Sequence, residues 1–145
     1  MRLVLQRVKN ASVIIDNKPV AKINQGLLCF LGIHKNDNEL KCSELAKKMY
    51  NLRIFEDDKG KMNLSISQVS GEALVVSQFT LYADCSGGNR PSFTEAMEPK
   101  QAQALYERFV NELRYLGCKT QTGAFGAKMD VQLSNDGPVT IILEA

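Results

Sequence analysis

The chain of 145 residues has no tryptophan and one histidine, His34. A single imidazole excludes a histidine-rich metal site, and no Ser-His-Asp signature ties it to a hydroxyl, so a serine-hydrolase triad is not expected. His34 follows an apolar run and reads as an exposed loop residue, not a base. The four cysteines, Cys29, Cys42, Cys85 and Cys118, fit no zinc or redox spacing. A metal-dependent hydrolase is therefore disfavoured, and nothing in the sequence calls for a cofactor. A chain of this length buries a core without covalent staples, so Cys29 and Cys118 read as buried thiols and no disulfide framework is expected. No apolar run approaches a membrane span and Met1–Arg7 lacks a signal-peptide core, which makes the cytoplasm the expected location. A strong charge of one sign is also missing. The net +2 permits a local basic patch without demanding nucleic acid.

What is present is an ordinary globular composition, 44% hydrophobic and 23% charged, expected to form one domain over residues 1–145. Alternating apolar residues predict strands over 2–9 and 11–16, then over 20–23. The continuous run Leu27–Ile33 predicts a central strand. A helix capped by Asn36 or Asp37 follows, with Leu40, Leu45, Met49 and Leu52 as its apolar stripe. Residues 53–55 read as a short strand, and Glu56-Asp57-Asp58 as a solvated turn lacking the pattern of a calcium loop. Residues 73–81 predict a strong strand and 82–98 a loop. A second helix opens at Glu98 or Pro99 and stops at Gly117. Residues 119–122, 127–134 and 139–143 close the chain as strands. The expected fold is α+β: a largely antiparallel sheet or partly closed barrel, with two main helices packed against it.

Two segments stand out chemically. Asn135-Asp136-Gly137-Pro138 reads as a hairpin turn stiffened by proline, leaving a glycine carbonyl with no side chain beside it. In the predicted strand 73–81, Ser77, Gln78 and Thr80 are polar where a buried strand stays apolar. They either satisfy neighbouring backbone groups or line a cleft facing a ligand. Arg90, in a glycine-rich loop, is a phosphate contact or a solvated arginine. Phe125, between Gly123 and Gly126, is a core anchor or a stacking platform for a base.

Taken together and in order, these segments resemble the D-aminoacyl-tRNA deacylase family over essentially the full chain. The resemblance is carried by Leu5-Gln6-Arg7-Val8, Gly60–Leu64, Val75–Leu81, Arg90-Pro91-Ser92-Phe93, Gln121-Thr122-Gly123 and Asn135–Thr140. Ala124 departs from the charged or longer residue that many members carry. The resemblance implies a homodimer that cleaves the ester of D-aminoacyl-tRNA, and of glycine mischarged on tRNA-Ala, at the acceptor end of the tRNA. It implies a cis Gly137-Pro138 peptide inserted into the partner's site to reject L-amino acids. Ser77, Gln78, Phe79 and Thr80 become the other wall, with the Phe79 N–H as oxyanion donor. Ala102, Phe125 and Met129 match the adenosine pocket, and the tRNA 2′-OH assists attack on the ester, Thr80 having an ordering role. Arg90, Lys47 and Lys48 are candidates for the tRNA backbone, the two lysines also reading as a solvated face. Two alternatives stay open: Thr80 as the nucleophile, or a non-catalytic module associated with RNA or DNA.

Overall fold

The computed structural model describes residues 1–145 as eight strands and two α-helices. In order they are β1 (Arg2–Ile15), β2 (Lys18–Ile23), β3 (Gly26–Gly32), α1 (Glu39–Asn51), β4 (Phe55–Glu56), β5 (Met62–Leu64), β6 (Glu72–Ser77), α2 (Pro99–Tyr115), β7 (Lys119–Thr122) and β8 (Asp130–Glu144). The main sheet has the order β2-β1-β3-β6-β7, with β8 on the other edge of β1. Pairs made by β1 are antiparallel, whereas β3-β6 and β6-β7 are parallel. The parallel pairs follow from connectivity, because each needs a long crossover and the two helices lie within those crossovers. Strand β2 curls back towards β6 and β7, so the sheet is nearly closed.

The continuous apolar runs in β3 and β6 now have a reason. Successive side chains point to opposite faces of a strand. Leu27, Cys29 and Leu31 on β3, with Ala73 and Val75 on β6, face the helices. Leu28, Leu74 and Val76 face a smaller core inside the curled sheet, with Val8, Val13 and Ile23. Both faces are covered, so neither can be polar.

Several expected boundaries differ. The strands expected over 2–9 and 11–16 are one, β1, because β8 pairs along it on both sides of residues 136–139. The helix cap is Asn38, whose side chain accepts from the Lys41 N–H at 3.3 Å. Asp37 instead turns inward: its carboxylate binds the Met1 ammonium at 2.7 Å and the His34 N–H at 2.7 Å. Leu40, expected on the apolar stripe, is exposed in the first turn of α1, and Cys42 and Ala46 take the buried face with Leu45 and Met49. The short strand falls at Phe55–Glu56 and pairs with β5. Cys29, Cys42 and Cys118 are buried free thiols, and Cys85 is exposed. No helix is long and apolar enough to cross a membrane.

Candidate active site

The strand expected over 73–81 ends at Ser77, and Phe79–Tyr82 forms a 3-10 turn. The ladder stops there because β3 ends at Gly32: Leu31 pairs with Ser77, and the Gln78 N–H makes the last bond, to the Leu31 carbonyl at 2.8 Å. The turn then packs directly on Gly32. A Cβ at that position would stand 2.9 Å from Leu81 Cβ and 3.2 Å from the Gln78 carbonyl oxygen, so only glycine leaves it room. Phe79 is the first residue of the turn, and its N–H therefore has no partner within it.

Beside this turn lies a cavity of about 590 Å³, closed by the loop before α2, the start of α2 and the segment 125–131. Ser77, Gln78 and Phe79 form one end, and Ala102, Phe125 and Met129 are among the other lining residues. Thus six residues expected at the site from separate segments line one cavity. The lining is mostly apolar, with a polar corner at Ser77 and Gln78 and one carboxylate, Glu98, which caps α2 by accepting from the Lys100 N–H at 3.1 Å. This suits a ligand that buries a flat or aliphatic body and presents one polar group. Phe79 and Phe93 meet edge to face at 5.0 Å between ring centres, and both are exposed at the mouth. Phe93, Met97 and Pro99 also line the cavity. Phe93 stood in the motif Arg90-Pro91-Ser92-Phe93, where only Arg90 was given a role. The sequence signal of Met97 and Pro99 was the loop 82–98 leading into a proline-started helix, which gave no reason to choose individual residues.

Thr80 is exposed next to this cavity and does not line it; its hydroxyl accepts a bond from the Gln78 side-chain amide at 2.5 Å. His34 is not the free loop residue expected. Its Nε2 lies 3.1 Å from Glu95 Oε2, its Nδ1 accepts from the Asn36 N–H at 3.2 Å, and its ring tilts against Tyr82 at 5.1 Å. Both ring nitrogens are occupied: Nε2 ties the loop before α2 to the end of β3, and Nδ1 closes a local turn. Hydrogen bonds from Lys35 and then His34 hold the Glu95 carboxyl below its usual range. Burial pushes the Tyr82 hydroxyl up to about 12, so it remains a neutral phenol under the turn.

Gly137 and Pro138 line no part of this cavity, and the segment holding them is no hairpin. Strand β8 continues through it. Gln6 pairs with Thr140 and Val8 with Asn135, so residues 136–139 bulge outward opposite the single residue Arg7. The Gly137-Pro138 peptide is cis, and Gly137 has φ 126°, a region that side chains disfavour. The bulge is held from within and from below. Asn135 accepts from the Val139 N–H at 3.0 Å and donates to the Thr140 hydroxyl at 3.1 Å. Arg7, almost fully buried, donates to the Asp136 carbonyl at 3.2 Å and to the Ile54 carbonyl at 2.7 Å, and pairs with the Asp136 and Glu56 carboxylates. Arg7 was legible only as part of a motif, since a lone arginine in a strand carries no sign of what it holds. Gly137 and Pro138 themselves are exposed.

Arg90 lies exposed in the loop 83–92, whose ends are joined by the Asp84 and Ser92 bridge. Lys47 and Lys48 are on the exposed face of α1 and line no cavity wall.

Fold and cavity together define a small α+β domain with a mostly apolar binding site that ends in a polar corner. The model of the D-Tyr-tRNA(Tyr) deacylase family matches residues 4–144. A D-aminoacyl-tRNA deacylase of Thermotoga petrophila is 58% identical over 145 residues, covering 100% of this chain and 97% of that protein. Among solved structures, a c-Myc DNA unwinding element binding protein is 40% identical with a TM-score of 0.93, covering 100% of this chain and 99% of that one. A probable eukaryotic D-amino acid tRNA deacylase shares the fold, with a TM-score of 0.85 at 16% identity over 98% of this chain and 97% of that one. The chain belongs to the D-aminoacyl-tRNA deacylase family, whose enzymes hydrolyse an ester bond.

Proposed function

We propose that this protein hydrolyses the ester joining a D-amino acid to the 3′-terminal adenosine of tRNA, and that it acts as a homodimer. The adenosine lies against Ala102, Phe125 and Met129, and the ester carbonyl meets the Phe79 N–H as charge develops on its oxygen. Water attacks the carbonyl carbon, the bond to the ribose 3′ oxygen breaks, and that oxygen leaves with a proton. Free amino acid and tRNA result. The neighbouring ribose 2′-OH assists the attack, and Thr80 orders the polar corner. Gly137-Pro138 of the partner subunit borders the site and leaves no room for an L side chain, so discrimination works by exclusion. Glycine passes because it has no side chain to exclude, which extends the substrates to glycine mischarged on tRNA-Ala.

One observation carries this reading. Ser77, Gln78, Phe79, Ala102, Phe125 and Met129 share one cavity, while the exposed Gly137-Pro138 bulge lies outside the cavity of its own chain. A cross-subunit arrangement gives both a use. The engagement of the nearby protein groups supports the RNA hydroxyl: the His34 nitrogens are bonded, Thr80 faces an amide, and the Glu98 carboxylate in the cavity lining caps α2 by accepting from the Lys100 and Gln101 N–H groups. The test is deacylation by the purified protein, which is expected to release D-amino acid while sparing L-aminoacyl-tRNA. Replacing the terminal 2′-OH by hydrogen is expected to abolish turnover, and unchanged rates would refute RNA assistance. A non-catalytic nucleic-acid module is the second reading, favoured by the name of the 40% identical structure; binding without turnover would establish it.

A further inference from the structure

A second concavity abuts the first. It is a groove of about 390 Å³ between α2 and the end of β7, bordered by Tyr106, Val110 and Phe125. Gln103, Glu107, Asn111 and Arg114 also line it, recurring at intervals of three and four, so they form one row along α2. The apolar side is rigid. The Tyr106 hydroxyl donates to the Val75 carbonyl at 2.9 Å, and its ring tilts against Phe125 at 5.7 Å. The wall is polar and available. All four residues of the row are exposed, Glu107 accepts one bond from Gln103 at 2.9 Å, and Arg114 makes one long bond, to the Thr120 carbonyl at 3.4 Å.

Phe125 lines both the cavity and the groove, and Ala102 of the cavity is followed directly by Gln103 of the groove. This continuity sets an order. With the ester at Phe79 and the terminal adenosine at Ala102 and Phe125, the strand leading to that adenosine reaches the groove next. A nucleobase fits what it finds there: the half-buried Phe125 ring, backed by the buried Tyr106 and Val110, for its face, and amides with a carboxylate for its edge. Cytosine presents an amino donor beside ring and carbonyl acceptors, and a carboxylate accepts from that amino group. Uracil presents a carbonyl in the same place, which the carboxylate opposes.

We infer that the groove along α2 binds the cytidine preceding the terminal adenosine, its base against Phe125 and its amino group on Glu107. The inference rests on the proposed adenosine site. The test uses three non-hydrolysable probes built on 3′-D-alanylamino-3′-deoxyadenosine: its 5′-phosphate, its 5′-cytidylyl form and its 5′-uridylyl form. Binding is followed by calorimetry on the full chain, with the unextended nucleoside as reference. The cytidylyl probe is expected to bind about tenfold more tightly than the 5′-phosphate, in keeping with the usual worth of one stacked base. The uridylyl probe is expected to gain less, and Glu107→Ala to collapse the difference between the two pyrimidines. Asn111→Ala is expected to shrink the cytidylyl gain. Equal binding of cytidylyl and phosphate probes, with the nucleoside still bound, overturns the groove and leaves the deacylase reading intact. A gain equal for both pyrimidines and unchanged in Glu107→Ala also overturns it. Failure of every probe to bind overturns both.

Discussion

Two distant segments converge on the Arg7 guanidinium: Ile54 and Glu56 from the chain after α1, and Asp136 from the bulge in β8. Arg7→Ala leaves the Ile54 carbonyl without its charged donor beneath the bulge. The expected cost is about 3 kcal/mol, read from urea unfolding, with most of it assigned to the buried bonds and little to the exposed Glu56. Arg7→Lys is not expected to restore it, because one ammonium cannot reach acceptors that a planar fork reaches together. At Gly137 a Cβ would stand 2.8 Å from Val139 Cγ2 and 3.2 Å from Arg7 Nη2. Gly137→Ala must therefore move the bulge, and the ratio of D- to L-aminoacyl-tRNA hydrolysis is expected to fall at least about tenfold, by about 1.4 kcal/mol of discrimination. Unchanged selectivity in a folded variant would remove the bulge from the chirality argument. Thr80→Ala is expected to keep turnover within about tenfold under the proposed ordering role. Complete loss with intact folding would restore Thr80 as nucleophile.

At the scale of elements, the 3-10 turn over Phe79–Tyr82 depends on Gly32 of β3. Gly32→Ala pushes against Leu81 Cβ and displaces the turn holding the Phe79 N–H. Stability is expected to drop by about 1–3 kcal/mol, as for overpacked sites, and kcat to fall more than KM rises. A change confined to KM would place the turn in binding alone. This element also marks where sequence reading reached its limit. Residues 73–76 are apolar on both faces, which local pattern reveals, but the end of the ladder is set by the end of β3, in the register of Leu31 with Ser77, a partner far away in sequence. The closing strands failed for a related reason. Asp136-Gly137-Pro138 has the local chemistry of a turn, yet β1 pairs on both sides of it and holds the chain to one direction. The spans of the helices were legible because their periodicity is local, while the cap of α1 and its buried face at Cys42 and Ala46 were not. The lining of the cavity was legible where it carried motif residues, silent at Met97 and Pro99, and half-legible at Phe93, which stood in a motif read only for Arg90.

For the whole molecule, Asp37 gives an acid limit to stability. Burial by itself would raise its pKa; the Met1 ammonium, the His34 N–H and Lys41 outweigh that and hold it below the ordinary 3.8. The folded state thus binds this proton less readily than the unfolded chain. The pairing contributes fully above about pH 3.8 and is lost as pH falls through the lower folded value. Asp37→Asn is expected to be less stable near neutrality and to flatten the pH dependence below that value in denaturant titrations between about pH 2 and 5. A parallel decline in both proteins would move the acid limit elsewhere. In solution the assembly is expected to have twice the 16.1 kDa mass of the chain by light scattering, and a stable monomer would leave the cavity without the partner's bulge.

The bulge opposite Arg7 also bears on how sequence length can vary in this chain. Paired residues flank it on both sides, Gln6 with Thr140 and Val8 with Asn135, in a ladder that runs from Arg2 to Ile14 along β1. Most surface segments absorb an added or deleted residue by changing the path of a loop. Here one residue more or fewer in 136–139 either changes the height of the projection or slides one flank of β8 along β1, turning its inward side chains outward. Insertions should accumulate in the loop 83–92 and be absent from 130–144, so the projecting tip is inherited at fixed length even while its flanks change in composition.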